Sequence, residues 1–192
     1  DELKRALGLN PDTYVYLSCG KYIAKKNPLL LIESFKKLPQ NYRDQSALVF
    51  FFFFSLRPDM EAACVDLLGK SIILTGFVYQ GDIGRYYGAA DCAVLPSNYS
   101  ETWGLAVNEA QIFGLPVICS DRVGCGPDLI NPETGHIIKS GDRQGLSTAM
   151  ISVFNRSAET VEKQKLAIQT LSFAYSAEAA AAAIVKKATS SN

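Results

Sequence analysis

The stretch CAVLPSNYSETWGLAVNEAQIFGLPVIC, from Cys92 to Cys119, holds one complete unit of the fold's plan. It opens as a short apolar run over 92–95 stopped by Pro96, and passes through a polar loop at 97–102. It then turns helical over 104–113 with Gly114 as its stop, and becomes apolar again over 116–119. Strand, loop, helix with a glycine end and strand is one βαβ unit. The same alternation extends outward. Further strands are expected over 14–19, 47–54, 71–75 and 135–138. Pro28 opens a helix whose Leu31, Ile32, Phe35 and Leu38 recur at helical spacing and which Pro39 ends; others are expected over 59–68 with Gly69 as its close, 81–88, near 127–130, and over 144–154. The fold class is α/β: a Rossmann-like, mostly parallel sheet with helices on both faces. Beyond Arg156 the chain reads as helix alone, over 160–171 and 177–188, so residues 1–155 are read as the sheet domain and 156–192 as a helical tail of the same domain.

Composition narrows the function classes. Among 192 residues, 19 lysines and arginines balance 19 aspartates and glutamates, so the summed charge draws in neither nucleic acid nor an anionic membrane, and any anion site must be local. The cysteines Cys19, Cys64, Cys92, Cys119 and Cys125 are dispersed without a C-x-x-C pair, and His136 is the one histidine, which leaves no zinc spacing. They read as reduced thiols of a cytoplasmic protein, with Cys19, Cys92 and Cys119 acting as small hydrophobes. The longest uninterrupted apolar run covers 47–54, far short of the roughly 20 residues of a membrane span, and Asp1-Glu2-Leu3-Lys4-Arg5 does not resemble a signal peptide. The expectation is a soluble domain without a transmembrane segment, with peripheral membrane association of a fuller protein left open.

In an open parallel sheet, ligands bind beyond the carboxyl ends of the strands. The loop after the first strand, 20–27, holds Gly20, which permits close backbone approach, and Lys21, Lys25 and Lys26, whose ammonium groups neutralise phosphate oxygens. The loop after the fourth strand carries Glu101, then Gly104 at the helix start, and Glu109 about one and a half turns inside the helix. Taken singly, each is a commonplace solvated residue. Together they place two hydroxyl-binding carboxylates around a helix N-terminus, where the amides of Gly104 and Leu105 suit a diphosphate. A nucleotide sugar presents sugar hydroxyls, diphosphate and ribose hydroxyls in that series.

The segment from Glu101 to Val117, ETWGLAVNEAQIFGLPV, resembles the E-x7-E signature of the family 4 retaining glycosyltransferases. The Gly20, Lys21 and Lys26 loop resembles that family's G-R-x-x-x-x-K stretch. The pieces L-x-G-F at 74–77, A-A-D at 89–91, L-P-S at 95–97, T-G at 134–135 and G-D at 141–142 follow in the family's order. The resemblance spans about residues 1–155 and implies the C-terminal, donor-binding half of a two-domain GT-B enzyme whose acceptor-binding N-terminal domain is missing. By position, it assigns Glu101, Thr102, Trp103 and Gly104 to the transferred sugar and Glu109 to the ribose. Leu105, Ala106, Lys21 and Lys26 fall to the diphosphate, and Phe77 and Val78 to the base. It further implies transfer with retention, from a UDP- or GDP-linked donor to a glycan, glycolipid or small molecule, with positive protein groups stabilising the leaving diphosphate. No cofactor or metal is expected, and the sequence has no D-x-D. The fragment alone is expected to be inactive. The alternatives are a nucleotide-sugar-binding module, or an epimerase-like protein on the same fold, for which the acid and base groups are wanting.

Two departures stand out. Lys21 replaces an arginine and cannot grip phosphate with a bidentate fork. Five phenylalanines at 50–54 stand where the family has a glycine-rich turn, and are read as a buried strand whose last rings either fill the core or narrow the cleft.

Overall fold

The computed structural model describes residues 2–51, 55–99 and 101–189. In chain order the elements are α1 (Glu2–Ala6), β1 (Tyr14–Cys19), α2 (Pro28–Lys36), α3 (Gln40–Arg43), β2 (Ser46–Phe51), α4 (Arg57–Ala63), β3 (Ile72–Leu74) and α5 (Ile83–Ala89). They continue with β4 (Cys92–Leu95), α6 (Leu105–Ile112), β5 (Val117–Ser120), α7 (Gly126–Leu129), β6 (Gly135–Ile138), α8 (Arg143–Phe154), α9 (Ala158–Ala174) and α10 (Ala177–Thr189). The six strands form one sheet in the order β3-β2-β1-β4-β5-β6, each pair parallel. This is the Rossmann-like α/β architecture expected from the alternation of runs.

Parallel strands covered on both faces bury successive residues, and all six residues of β2 are buried. Because side chains alternate, Tyr16, Leu48, Phe50, Ile72, Cys92 and Ile118 gather on one face beneath α2, α4 and α8. On the other, Val15, Leu17, Val49, Phe51, Leu95, Val117 and Cys119 pack with Tyr87 of α5, Val107 and Ala110 of α6 and Leu129 of α7. Phe50 and Phe51 thus divide between the two faces, Phe50 edge-on to Tyr22 at 5.8 Å and Phe51 beside Tyr86 at 5.1 Å. Residues 52–54, the remainder of the phenylalanine run, lie outside the described residues.

Several expected boundaries move. The fourth helix stops at Ala63 rather than 68: residues 64–67 tighten into turns, and Leu68 is drawn into a parallel bridge with Ile72. Pairing at the sheet edge here outweighs helical propensity. Gly69, at φ 73°, therefore turns the chain into β3 instead of ending a helix. The short helices α1 and α3 have too few residues for a readable period. Helix α8 starts where Asp142 accepts the Gly145 amide at 2.8 Å, and α9 starts one residue after Ser157, whose hydroxyl accepts the Thr160 amide.

The tail adds to the reading of apolar runs. Within Ala158–Thr189 an 18-residue window reaches a mean hydropathy of 1.2, so by length and composition alone the segment is apolar enough to cross a membrane; interspersed alanines count toward hydropathy without making a long unbroken run of bulky apolar residues. In the structure it is two helices broken at Tyr175, and α9 packs against α6 with Ile168 and Ser172 buried.

Candidate functional site

At the centre of the sheet, β1 and β4 lie side by side while their crossovers leave in opposite directions. A crevice forms at such a switch point, beyond the strands' carboxyl ends. The loops leaving β1 and β4 face each other across it, laced by hydrogen bonds. The Asn98 amide donates to the Lys25 carbonyl at 2.8 Å, and Asn27 Nδ2 donates to Asn98 Oδ1 at 2.6 Å. Gly20 has φ 142°, and Asn27 sits in the left-handed region at φ 52°, a position asparagine tolerates better than most side chains, just before Pro28 opens α2.

That turn brings Lys26 back over the crevice. Its Nζ donates to Glu101 Oε2 at 2.8 Å, Ser97 Oγ donates to the same oxygen at 3.3 Å, and Lys25 Nζ stands 4.0 Å away. Lys21 is exposed on the same loop. Lys25 enters the sequence reading only as one of the three loop lysines and Ser97 only as part of L-P-S, with no role given to either, because three lysines in one loop cannot be ranked without the fold.

The backbone around Glu101 is fixed by a second loop that the motif does not reveal. Glu101 N–H donates to the Arg122 carbonyl at 2.8 Å, the Gly124 amide donates to the Glu101 carbonyl at 2.8 Å, and the Cys125 amide donates to the Trp103 carbonyl at 2.9 Å. A side chain at Gly124 would run into the Thr102 carbonyl. Gly104 follows at φ 102°, buried, with Val123 and Leu95 against it. It turns the chain into α6, whose Leu105 and Ala106 amides, being the first of the helix, have no intrahelical acceptor. Thr102 is exposed beside them. The Trp103 indole donates to Asn108 Oδ1 at 2.6 Å and lies 6.1 Å from the Tyr175 ring, so what Trp103 gives to the crevice is backbone.

One turn further along α6, Glu109 accepts the Tyr87 hydroxyl at 2.8 Å. It borders an open groove shared with Phe77, Val78, Gln80, Ile83 and Phe113. Phe77 is 59% exposed and meets Tyr79 edge-on at 5.3 Å, whereas the Val78 side chain is buried in the core and only its backbone is left for a ligand. Cys19, at the end of β1, lies between the two halves, its titration sensitive to both Glu109 and Lys26; burial pushes its thiol up to about 12. The same cause holds Cys119 at about 12 and Cys125 at about 11, which fits their role as small apolar residues.

The fold and crevice define an α/β domain with a carboxylate and cationic groups at a helix N-terminus and a second carboxylate beside an aromatic-lipped groove. The sequence profile of the family Glycosyl transferases group 1 matches residues 1–170, and the chain belongs to that family. It is 30% identical over 168 residues to a D-inositol 3-phosphate glycosyltransferase of Mycobacterium sp. (strain KMS), covering 83% of this chain and 36% of that protein. It is 31% identical over 156 residues to the UDP-Gal:alpha-D-GlcNAc-diphosphoundecaprenol alpha-1,3-galactosyltransferase of Escherichia coli, covering 80% of this chain and 40% of that protein. Its fold matches that of HepE from Anabaena, solved with UDP and glucose, at a TM-score of 0.76 and 18% identity over 89% of this chain and 46% of HepE. The architecture is that of GT-B glycosyltransferases. The chain spans less than half the length of these proteins.

Proposed function

We propose that this chain is the donor-binding half of a retaining glycosyltransferase that uses a UDP-linked sugar. The observation that carries the reading is the pair of carboxylates, Glu101 and Glu109, set on either side of the free amides at the start of α6 with Lys26 across the crevice. In this reading the diphosphate lies at the helix N-terminus, where Leu105 and Ala106 donate and Lys21 and Lys26 supply positive charge. Glu109 accepts from the ribose hydroxyls, the base lies along Phe77 and the backbone of Val78, and Glu101 with the Thr102, Trp103 and Gly104 backbone holds the sugar.

As the bond between the anomeric carbon and the diphosphate breaks and that to the acceptor oxygen forms, negative charge gathers on the diphosphate. Fixed amides and ammonium groups stabilise it most at that stage, so the leaving group needs no metal or cofactor. The Lys26–Glu101 ion pair keeps both groups in place before the donor arrives; on binding, Lys26 shares its donors with phosphate and Glu101 turns lone pairs to the sugar. UDP supports the reading as the nucleotide because HepE was solved with it and the Escherichia coli relative is named for UDP-Gal. Residues 1–155 form the binding unit in this proposal, and the acceptor site belongs to a missing N-terminal domain, so the chain alone transfers nothing. The proposal places the protein in the cytoplasm, a compartment in which dispersed cysteines such as these stay reduced.

Calorimetric titration with UDP, GDP, ADP and UDP-glucose, repeated on Glu109→Ala, tests it. Binding of the UDP series that is lost in the variant is the expected result; equal binding by the variant, or none by the parent chain at millimolar ligand, overturns the reading.

A further inference from the structure

Tyr87 of α5 is 1% exposed. Its ring stacks on Phe113 at 5.6 Å with 22° between planes and meets Phe51 edge-on at 6.1 Å, so it cannot swing without opening the core. Its hydroxyl leaves this apolar wall at the rim of the groove and donates to Glu109 Oε2 at 2.8 Å. A glutamate on a half-open helix face otherwise rotates freely about its terminal torsion, which is broad and lacks sharp wells. A phenol held rigid by two aromatic neighbours removes that freedom.

We propose that Tyr87 is a positioning residue for the donor's ribose. It engages one oxygen of Glu109, so that the carboxylate meets the vicinal hydroxyls in a single orientation. Burial, followed by the influence of Cys19 and Glu109, raises the pKa of the phenol above the ordinary tyrosine range, which keeps it a proton donor over the working pH range. Fixing the acceptor before the ligand arrives lowers the ordering cost of binding. The proposal rests on the donor-site reading and adds a residue that the E-x7-E motif does not contain. A tyrosine that merely fills the core predicts something different: loss of its hydroxyl would weaken the fold and leave ribose discrimination untouched.

The test is calorimetric titration of the chain with UDP and with a UDP analogue lacking both ribose hydroxyls. It compares the parent, Tyr87→Phe, and p-aminophenylalanine in place of Tyr87, which keeps a donor at the same reach. Tyr87→Phe is expected to weaken UDP about tenfold, the scale of one hydrogen bond to a charged group, while leaving the analogue unchanged. The amino variant is expected to recover most of the loss. If Tyr87→Phe does not fold, p-methoxyphenylalanine, which offers no donor, takes its place and is expected to show the same selective loss. Equal UDP binding by the hydroxyl-free variant, or the same loss for both ligands, overturns the assignment. A parent chain that binds neither ligand overturns the donor-site reading before any substitution is compared, and this inference with it.

Discussion

Gly104→Ala puts a methyl group where the structure has no room for one. At φ 102° an L-residue carries the left-handed penalty, about 1–2 kcal/mol. The added Cβ would sit 2.7 Å from Val123 Cγ1 and 3.5 Å from Leu95 Cδ2. Val123 is β-branched and 2% exposed, so its methyl cannot step aside by changing rotamer at little cost. Overpacking of this kind costs about 1–3 kcal/mol, and the two contributions together give a loss of about 2–5 kcal/mol. At about 3 kcal/mol the melting midpoint of a chain this size falls by about 6–12 °C. The control is Gly141→Ala: its φ of 81° carries the same backbone penalty, but nothing lies within 4 Å of its Cβ. Differential scanning calorimetry on both variants separates the contact from the backbone. UDP titration adds the functional side, because a shifted start of α6 moves the Leu105 and Ala106 amides. Equal melting midpoints for the two variants, with unchanged UDP affinity in Gly104→Ala, would refute the argument that close packing under Gly104 sets the anion site.

Lys26→Met should weaken UDP about tenfold or more by removing a charge-assisted contact, and should cost the fold more than loss of a surface pair does, because the Lys26 and Glu101 side chains are only 21% and 16% exposed; a salt titration checks the first claim, since the affinity of the parent should fall with ionic strength more steeply than that of the variant. The thiols set an alkaline limit. Cys19, ordinarily near 9.0, is pushed by burial up to about 12 in the folded chain, so its contribution to stability is full below pH 9 and lost as pH rises toward 12. Denaturant midpoints should fall across that window, and a Cys19→Ala variant should fall less. His136 works in the other direction: burial, then Arg156, lower its pKa from 6.5, so stability is full above that value and declines as pH falls below it. Midpoints followed for His136→Gln between pH 7 and pH 5 should decline less than those of the parent.

The fold class and most of the sheet were legible in the amino-acid order. Cys92–Leu95 and Gly135–Ile138 were readable to the residue because short apolar runs bounded by proline, glycine or polar residues have few other uses. The same order also pointed to the two loops on which the proposed donor site rests, since Glu101, Gly104 and Glu109 keep a spacing that helical geometry turns into one rim. Where the fourth helix ends was decided by the pairing of Leu68 with Ile72, a contact no local pattern contains. Which lysines of residues 20–27 meet Glu101 emerges with the assembled fold, because that depends on the turn through Gly20 and Asn27 and on the Asn27–Asn98 clasp. The fold likewise places the loop at residues 122–125 beneath Glu101, and Tyr87 against Glu109 across a separation of 22 positions. Periodicity and motif spacing report interactions within a few turns of chain. The partners that orient a site come from other strands, and burial and close packing choose them after the sheet has brought those strands together.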